Sequence, residues 1–181
     1  MSRVLPPFAA KQLTLLFLQQ GERVLLGMKK RGFGVGRWNG FGGKVDPGEN
    51  LVDAAVREME EESGVRVLDA TLVGNLRFKF DESHERLEVH VFRATRFDGT
   101  VAESEEMEPR WWPANAPPFQ GMWPDDAYWL PHVLAGHYVI GSFLFKGMDT
   151  ILDHSLEVVD AIPVDPLSSP VLGSAQAPIK L

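Results

Sequence analysis

The pattern of apolar and polar positions divides the chain into several strands and two helices. A continuous apolar run at 13–19 is typical of a buried strand, and Gly21 turns the chain into a second strand. Alternation returns further along the chain, where a polar turn joins two more strands. The predicted strands are 13–19, 23–28, 72–80, 87–94, 138–145 and 150–159. Residues 109–124, rich in proline and aromatic residues, are expected to form a loop.

Two segments have the periodicity of helices. Residues 50–63 predict one helix, closed by Gly64, and residues 125–135 predict a second. Pro131 inside the second implies a kink or a short first segment. Because strands and helices do not alternate as regular β-α-β units, we expect an α+β fold with the helices packed on a mixed sheet.

Length and composition fit one globular domain. The chain has 181 residues, enough to bury a core without covalent cross-links. We expect a single domain over residues 1–160. Residues 161–181 contain four prolines and only two charged side chains, so they are expected to form a loosely attached tail.

Charge and cysteine content exclude several classes of function. The formal net charge of −7 disfavours binding to nucleic-acid polymers or membranes. The chain has no cysteine, which excludes disulfides, cysteine nucleophiles and cysteine-ligated metals. No signal peptide and no apolar stretch of about 20 residues is found. We therefore expect a soluble cytoplasmic protein, with the monomer as its state.

A glycine-rich segment precedes the first helix, with seven of the 17 glycines between Gly32 and Gly48. Such loops bind phosphate through bare backbone N–H groups, although glycines also serve tight turns. The segment is not a P-loop, because Gly43-Lys44 is followed by Val45 rather than Ser or Thr. It lacks the last glycine of the dinucleotide fingerprint as well.

Three carboxylates of the first helix share one face. At about 100° per residue, Glu58, Glu61 and Glu62 fall together beside the apolar stripe, so they should face a crevice. Arg57 can neutralise one of them but not all three. A hard divalent cation, Mg²⁺ or Mn²⁺, is the natural partner of such oxygen ligands. The alternative from helix geometry alone is a solvated acidic face.

The glycine loop and the acidic helix together match a known motif. From Gly43 to Val65 the sequence fits G-x5-E-x7-R-E-U-x-E-E-x-G-U, where U is an aliphatic residue, at every fixed position. The chain thus resembles the Nudix hydrolases. The resemblance implies an α/β/α sandwich with a mixed sheet and two main helices. It also implies Mg²⁺-dependent hydrolysis of a nucleoside diphosphate linked to another group.

The resemblance also implies roles for residues of the motif. Glu58, Glu61 and Glu62 become catalytic metal ligands, and Gly43 contributes a backbone carbonyl near the metal. Glu49 and Arg57 become structural residues that hold the loop and the helix together.

Sequence outside the motif is similar to a narrower group, the oxidised-purine nucleoside triphosphatases, of the 8-oxo-dGTP diphosphatase type. The similar segments include 29–44, 122–129 and 147–153. They imply hydrolysis of 8-oxo-dGTP and 2-hydroxy-dATP to the monophosphate and pyrophosphate, which cleanses the nucleotide pool. The implied substrate-binding residues are Asn39, Trp123, Asp125, Asp126, Phe33, Phe78, Lys29 and Thr14. Glu106 would be a further carboxylate on the metal side.

Some of these residues have simpler interpretations. Pro-Asp-Asp at 124–126 is a common helix start, and Glu106 lies in an acidic run that solvent alone could explain. If the two aspartates instead share an apolar pocket, one pKa should rise. A proton exchanged between them would then let one pocket accept either oxidised guanine or oxidised adenine. Leu87 stands where a pocket-wall Met is expected, which could alter the fit around the base.

Two other functions remain open on the sequence. One is a Nudix hydrolase for a different substrate, such as ADP-ribose, a dinucleotide or a diphosphoinositol phosphate, or one that also accepts methylated purines. The other is a nucleotide-binding module without catalysis, although such a protein would be expected to lose motif carboxylates and this chain keeps them all.

Overall fold

A mixed eight-stranded sheet forms the centre of the protein, in a computed structural model that describes residues 10–163. The order of the main strands is β10-β9-β5-β6-β1-β2-β3, and β8 pairs with β2. The strands of this sheet are β1 (Lys11–Gln20), β2 (Arg23–Lys29), β3 (Trp38–Asn39), β5 (Thr71–Phe80), β6 (Arg86–Ala94), β8 (Met107–Pro113), β9 (Tyr138–Lys146) and β10 (Thr150–Val159). A small separate sheet pairs β4 (Val65–Val67) with β7 (Phe97–Gly99).

Parallel and antiparallel pairs combine in this sheet. β1 runs parallel to β6, and β5 runs parallel to β9, whereas the remaining strand pairs are antiparallel. The two helices lie on opposite faces, each packed on its own part of the core. The result is the α/β/α sandwich with a mixed sheet that the sequence predicts.

The first helix, α1 (Leu51–Ser63), begins and ends with local signals in the sequence. The Asn50 side chain accepts a hydrogen bond from the Asp53 backbone N–H, which caps the first turn. Gly64 ends the helix at φ 78°, a left-handed conformation that favours glycine. Ala55 and Met59 are buried against a core that includes Leu16 and Phe92. One face of α1 therefore covers the sheet.

The second helix, α2 (Asp126–Leu134), packs on the other face of the sheet. Trp129, Leu130 and Val133 are buried there, and the Trp129 ring meets Phe17 edge-on at 5.7 Å. The helix continues through Pro131, as one of the two sequence interpretations allowed.

The long elements predicted from the sequence are confirmed, and several short ones were missed. The expectation of a loop throughout 109–124 is wrong for its first part, because residues 109–113 belong to β8. A single 3₁₀ turn (Phe119–Gly121) follows. Within residues 10–163, no helix is long and apolar enough to cross a membrane. Of the predicted tail at 161–181, residues 164–181 lie outside the described part of the chain.

The loop before α1 packs directly on β1, and Gly42 makes this possible. A Cβ at position 42 would lie 1.8 Å from the Thr14 carbonyl oxygen, which is a backbone atom that cannot move aside. We expect Gly42→Ala to lower the free energy of unfolding in urea by about 3 kcal/mol or more. Gly48→Ala is the control, because its Cβ meets nothing within 4 Å and only its φ of +79° resists the change, at about 1–2 kcal/mol. Equal losses for the two variants would contradict the packing argument.

Candidate active site

The loop at 41–45 lies against β1 and contacts the carboxylates of α1. Its backbone pairs with β1, since the Thr14 N–H donates to the Gly43 carbonyl at 2.9 Å. The Gly42 N–H donates to Glu62 Oε1 at 2.9 Å, which ties the loop to the last turn of α1. A Cβ on Gly43 would lie 2.6 Å from Glu58 Oε1, so only glycine lets the backbone approach this carboxylate so closely.

Arg57 is the centre of an ion-pair network that fixes the loop to the helix. Its guanidinium donates to both carboxylate oxygens of Glu49, at 2.8 and 3.0 Å, in a bidentate pair. It also donates to Glu58 at 2.9 Å and to Glu61 at 3.3 Å. The hydrogen bonds to Glu49, followed by those to Glu58, hold the pKa of Arg57 above its usual range. This geometry agrees with a structural role for Glu49 and Arg57.

The three glutamates of the acidic face differ in exposure. Glu62 is 4% exposed, and the Glu58 side chain is 18% exposed. The Glu61 side chain is 59% exposed, close to the 50% of Glu60 on the same helix. The expectation that all three face a crevice therefore holds for Glu58 and Glu62 but not for Glu61.

Glu62 is a buried carboxylate with one unsatisfied oxygen. Its Oε1 accepts the Gly42 N–H, whereas its Oε2 is buried and finds no hydrogen-bond partner in the described part of the chain. Burial raises the pKa of Glu62 to about 8, and the nearby charges of Glu58 and Glu106 contribute to the same rise. Such a group is stable at neutral pH only as the neutral acid or beside a cation.

Glu106 reaches this region from the segment before β8. It accepts from Lys29 Nζ at 3.1 Å and from Arg31 Nε at 3.0 Å. The hydrogen bond from Lys29 is the main reason why the pKa of Glu106 is lowered. Lys29 also lowers the pKa of Glu62 through its charge. Carboxylates of α1 and of the segment before β8 thus share one electrostatic environment with Lys29.

On the other face of the sheet, aromatic rings form a continuous cluster. Phe33 lies 5.0 Å from Trp123, and Trp123 meets Phe145 edge-on at 6.2 Å. Phe78 lies 6.3 Å from Phe145 and stacks on Phe143 at 5.6 Å. Phe33 is 61% exposed, so the cluster opens to solvent at that end.

Two adjacent aspartates are buried beside this cluster at the start of α2. Asp125 Oδ2 accepts the Trp129 Nε1–H at 2.8 Å, whereas Asp126 Oδ2 is buried and has no hydrogen-bond partner among the residues that the structure describes. Asp125 makes no side-chain cap to the helix, so helix capping does not explain it. Burial raises the pKa of Asp125 to about 6 and raises that of Asp126 well above its usual value, with the Asp125 charge adding to the Asp126 shift.

A domain comparison identifies the arrangement of loop, acidic helix and sheet. Residues 10–133 match the NUDIX domain, which is more than half of the chain. The chain belongs to the Nudix family. Its sandwich, its motif loop and its acidic helix are the parts that the family resemblance in the sequence implied.

Relatives of this Nudix protein cover most of its length. It is 51% identical over 148 residues to the oxidized purine nucleoside triphosphate hydrolase of Mus musculus, covering 82% of this chain and 95% of the relative. It is 48% identical to the protein of the same name from Danio rerio, covering 84% and 98%. The crystal structure of a MutT protein from Bacillus halodurans superposes with a TM-score of 0.74 at 26% identity, covering 81% and 97%.

Nudix hydrolases generally need a divalent cation such as Mg²⁺, and the residues present here fit one chemically. The buried Oε2 of Glu62 has no hydrogen-bond partner within residues 10–163 and is an oxygen that a cation would bind. Within residues 10–163, no three His, Asp or Glu side chains form a ready metal-binding group. Arg57 contacts one carboxylate oxygen of Glu58 and one of Glu61, which leaves each of them a second oxygen for an ion.

The structure separates the predicted substrate residues into two groups. Phe33, Phe78 and Trp123 join the aromatic cluster, with the two aspartates beside it. Lys29 lies instead on the carboxylate side, paired with Glu106.

Strand alternation gives the orientation of Thr14, and a backbone hydrogen bond gives that of Asn39. Thr14 alternates with Leu13 along β1, which turns its side chain toward the α1 face rather than toward the aromatic cluster. Asn39 Oδ1 accepts the Gly40 N–H at 2.9 Å, which leaves its amide group as a donor.

Two further residues belong to this region and were not singled out from the sequence. Trp129 is buried in the core, and its Nε1–H is the hydrogen-bond partner of Asp125. Arg37 stacks its guanidinium over Trp123 at 4.2 Å from the ring centroid. The i, i+4 spacing of Asp125 and Trp129 was a signal in the sequence for their hydrogen bond. No local pattern indicates the contact of Arg37 with Trp123.

The burial of Glu62 predicts how the stability of the metal-free protein depends on pH. Its pKa rises from 4.5 to about 8 on folding, so the folded state binds this proton more tightly than the unfolded state does. Stability from this group is therefore complete below the unfolded pKa and is lost as pH rises through the folded pKa. With a chelator present, we expect the Tm of the wild type to fall as pH rises from about 5 to about 8. The Tm of Glu62→Gln should fall less over the same range. Adding Mg²⁺ should raise the Tm of the wild type most at the higher pH. Equal pH slopes for wild type and variant would contradict this.

Proposed function

We propose that this Nudix protein hydrolyses oxidised purine nucleoside triphosphates, 8-oxo-dGTP and 2-hydroxy-dATP, to the monophosphate and pyrophosphate. The observation that carries the proposal is the buried pair Asp125–Asp126 beside the aromatic cluster that contains Trp123. The names of the mouse and zebrafish relatives support it. We also propose that residues 1–160 form the catalytic domain and that residues 161–181 are a tail outside it.

The proposed phosphate site lies at the motif loop. The residues that would hold the divalent cation are Glu58, Glu61, Glu62, Glu106 and the carbonyl of Gly43. The Gly43 carbonyl already accepts the Thr14 N–H but keeps a second lone pair. When bound, Mg²⁺ or Mn²⁺ would neutralise phosphate charge and lower the pKa of the attacking water.

The chain's own groups supply positioning and proton transfer at this site. Arg57 holds the loop, through Glu49, against the helix that carries the carboxylates. Lys29 provides a positive charge between Glu106 and Glu62, where the phosphates of a substrate would add negative charge. An ionised carboxylate of this group can accept the proton of the water that attacks phosphorus.

The proposed base site uses Trp123 as a stacking surface and the two aspartates as readers of the base edge. Stacking of a base on an aromatic ring contributes about 1–3 kcal/mol and tolerates either purine. Asp125 and Asp126 are too close and too buried for both to ionise, so one donates and the other accepts. An exchange of the proton between them reverses the donor–acceptor pattern, which would admit both oxidised guanine and oxidised adenine. Asn39 offers a further donor.

A panel of substrates tests the proposal directly. Turnover of 8-oxo-dGTP, 2-hydroxy-dATP, dGTP and ADP-ribose would be compared with Mg²⁺ present, by detection of pyrophosphate and of the monophosphates. We expect kcat/KM to be highest for the two oxidised purines. Preference for ADP-ribose would assign the protein to another Nudix activity. Tight binding of the oxidised nucleotides without Mg²⁺-dependent release of pyrophosphate would make it a binding module.

A further inference from the structure

An arginine stacks on the indole of Trp123, and an aspartate from a second loop pairs with that arginine. Arg37 ends the loop between β2 and β3, and its guanidinium lies 4.2 Å from the Trp123 ring centroid. The same guanidinium donates to Asp149, in the turn between β9 and β10. The two paired residues are 112 positions apart, so this contact ties together two loops beside the aromatic cluster.

The environment of Arg37 differs from that of a surface ion pair. The Arg37 side chain is 17% exposed, while Asp149 is 85% exposed. A cation over an indole face is attracted more strongly where water is excluded than in an exposed contact. The carboxylate of Asp149 fixes the direction in which the Arg37 side chain points.

The loop that carries Arg37 also contacts the edge of the same indole. A Cβ on Gly34 would lie 3.2 Å from Trp123 Nε1, so the loop backbone passes close to the ring. The base of this loop is closed by the Lys29 N–H, which donates to the Arg37 carbonyl at 3.0 Å. The position of the indole therefore depends on a loop whose end is fixed by β2.

We propose that Arg37, held by Asp149, is a positioning residue that fixes the plane of Trp123 for stacking on the purine base. The proposal rests on the proposed function and adds to it the source of order in the base site. A ring that is already fixed loses less conformational entropy when the base binds.

The charge of Arg37 has a second effect in the same region. Its positive charge acts on both Asp125 and Asp126 and favours their ionised forms. One cation therefore contacts the stacking residue and also lowers the cost of a negative charge on the residues that read the base edge.

The experiment compares Arg37→Gln, Asp149→Asn and the double variant with wild type. KM and kcat would be measured for 8-oxo-dGTP and 2-hydroxy-dATP, and Kd for 8-oxo-dGMP would be measured by calorimetry without metal. We expect Arg37→Gln to raise KM and Kd about five- to tenfold, with kcat changed less than twofold. Asp149→Asn should give a smaller rise, and the double variant should resemble Arg37→Gln rather than the product of the single effects. Arg37→Lys should recover part of the loss because it keeps the cation.

Arg23→Gln is the matched control, because Arg23 makes a similar stack on Trp111 at 4.8 Å from the ring centroid, at a site with no proposed role in binding. It should leave KM and Kd unchanged. Unchanged KM and Kd in Arg37→Gln, or equal losses in the control, would overturn the positioning role. The proposed function fails separately, if wild type itself does not hydrolyse the oxidised nucleotides.

Discussion

Replacing Glu62 by Gln should lower kcat/KM for the preferred substrate about a thousandfold, the scale expected when a preorganised charge at a phosphoryl-transfer site is removed. Glu62 is the most buried carboxylate of the acidic helix, and its Oε2 has no hydrogen-bond partner among residues 10–163. The glutamine amide keeps an oxygen that can accept the Gly42 N–H but loses the negative charge. The loss should therefore be catalytic, with little change in structure. Steady-state kinetics over a Mg²⁺ titration would measure it.

Glu60→Gln is the matched control for this prediction. Glu60 lies on the same helix, is half exposed and pairs only weakly with Arg66 at 3.3 Å. Its replacement removes one negative charge from α1 at a distance from the buried carboxylates, so kcat/KM should stay within about twofold of wild type. Comparable activity of Glu62→Gln and Glu60→Gln would remove Glu62 from the proposed catalytic site.

Replacing Asp126 by Asn should lower kcat/KM by about a hundredfold or more for at least one of the two oxidised purines. Asn cannot exchange a proton with Asp125, so the edge pattern of the pocket becomes fixed. A buried site with the wrong donor pattern rejects a ligand strongly, because polar groups remain unpaired. The ratio of kcat/KM for 8-oxo-dGTP to that for 2-hydroxy-dATP should therefore shift in Asp126→Asn, and differently in Asp125→Asn.

The control here is Asp98→Asn, which changes an exposed carboxylate of β7. Kinetics for both oxidised nucleotides would be measured in parallel for the three variants, with circular dichroism to verify folding. If Asp125→Asn and Asp126→Asn both leave kcat/KM unchanged for both nucleotides, the two aspartates do not read the base.

The main elements could be predicted from the sequence because their signals are local. β5, β6, β9 and β10 follow from alternation, and α1 follows from its apolar stripe and its caps at Asn50 and Gly64. β8 was missed because Pro109 and Pro113 argue against a strand. β8 pairs with β2 alone, however, and an edge strand can accommodate proline where no ladder hydrogen bond is needed.

In the candidate site, helix geometry and the motif predicted the residues of α1 and its loop, but not the contacts between distant segments. The angle around α1 places Glu61 beside Glu58 and Glu62, but it does not show that Arg57 holds Glu61 on the solvent side. The contact of Arg37 with Asp149 depends on two loops meeting in the fold, which no local pattern reveals. Local periodicity therefore identifies the elements, while tertiary contacts decide which charged side chains work together.

The parallel pairing of β1 with β6 has a consequence for synthesis on the ribosome. Lys11 pairs opposite Leu87 and Leu18 opposite Ala94, so the first strand finds its central neighbour about 76 residues later in the chain. Contacts this distant in sequence slow folding, because a long loop must close before they form. The β1–β2 hairpin can form early. Its apolar residues stay without their β6 neighbours while α1 and the following strands are synthesised. Until residue 94 has left the exit tunnel, the first strand therefore lacks its parallel neighbour, which leaves its apolar residues open to aggregation.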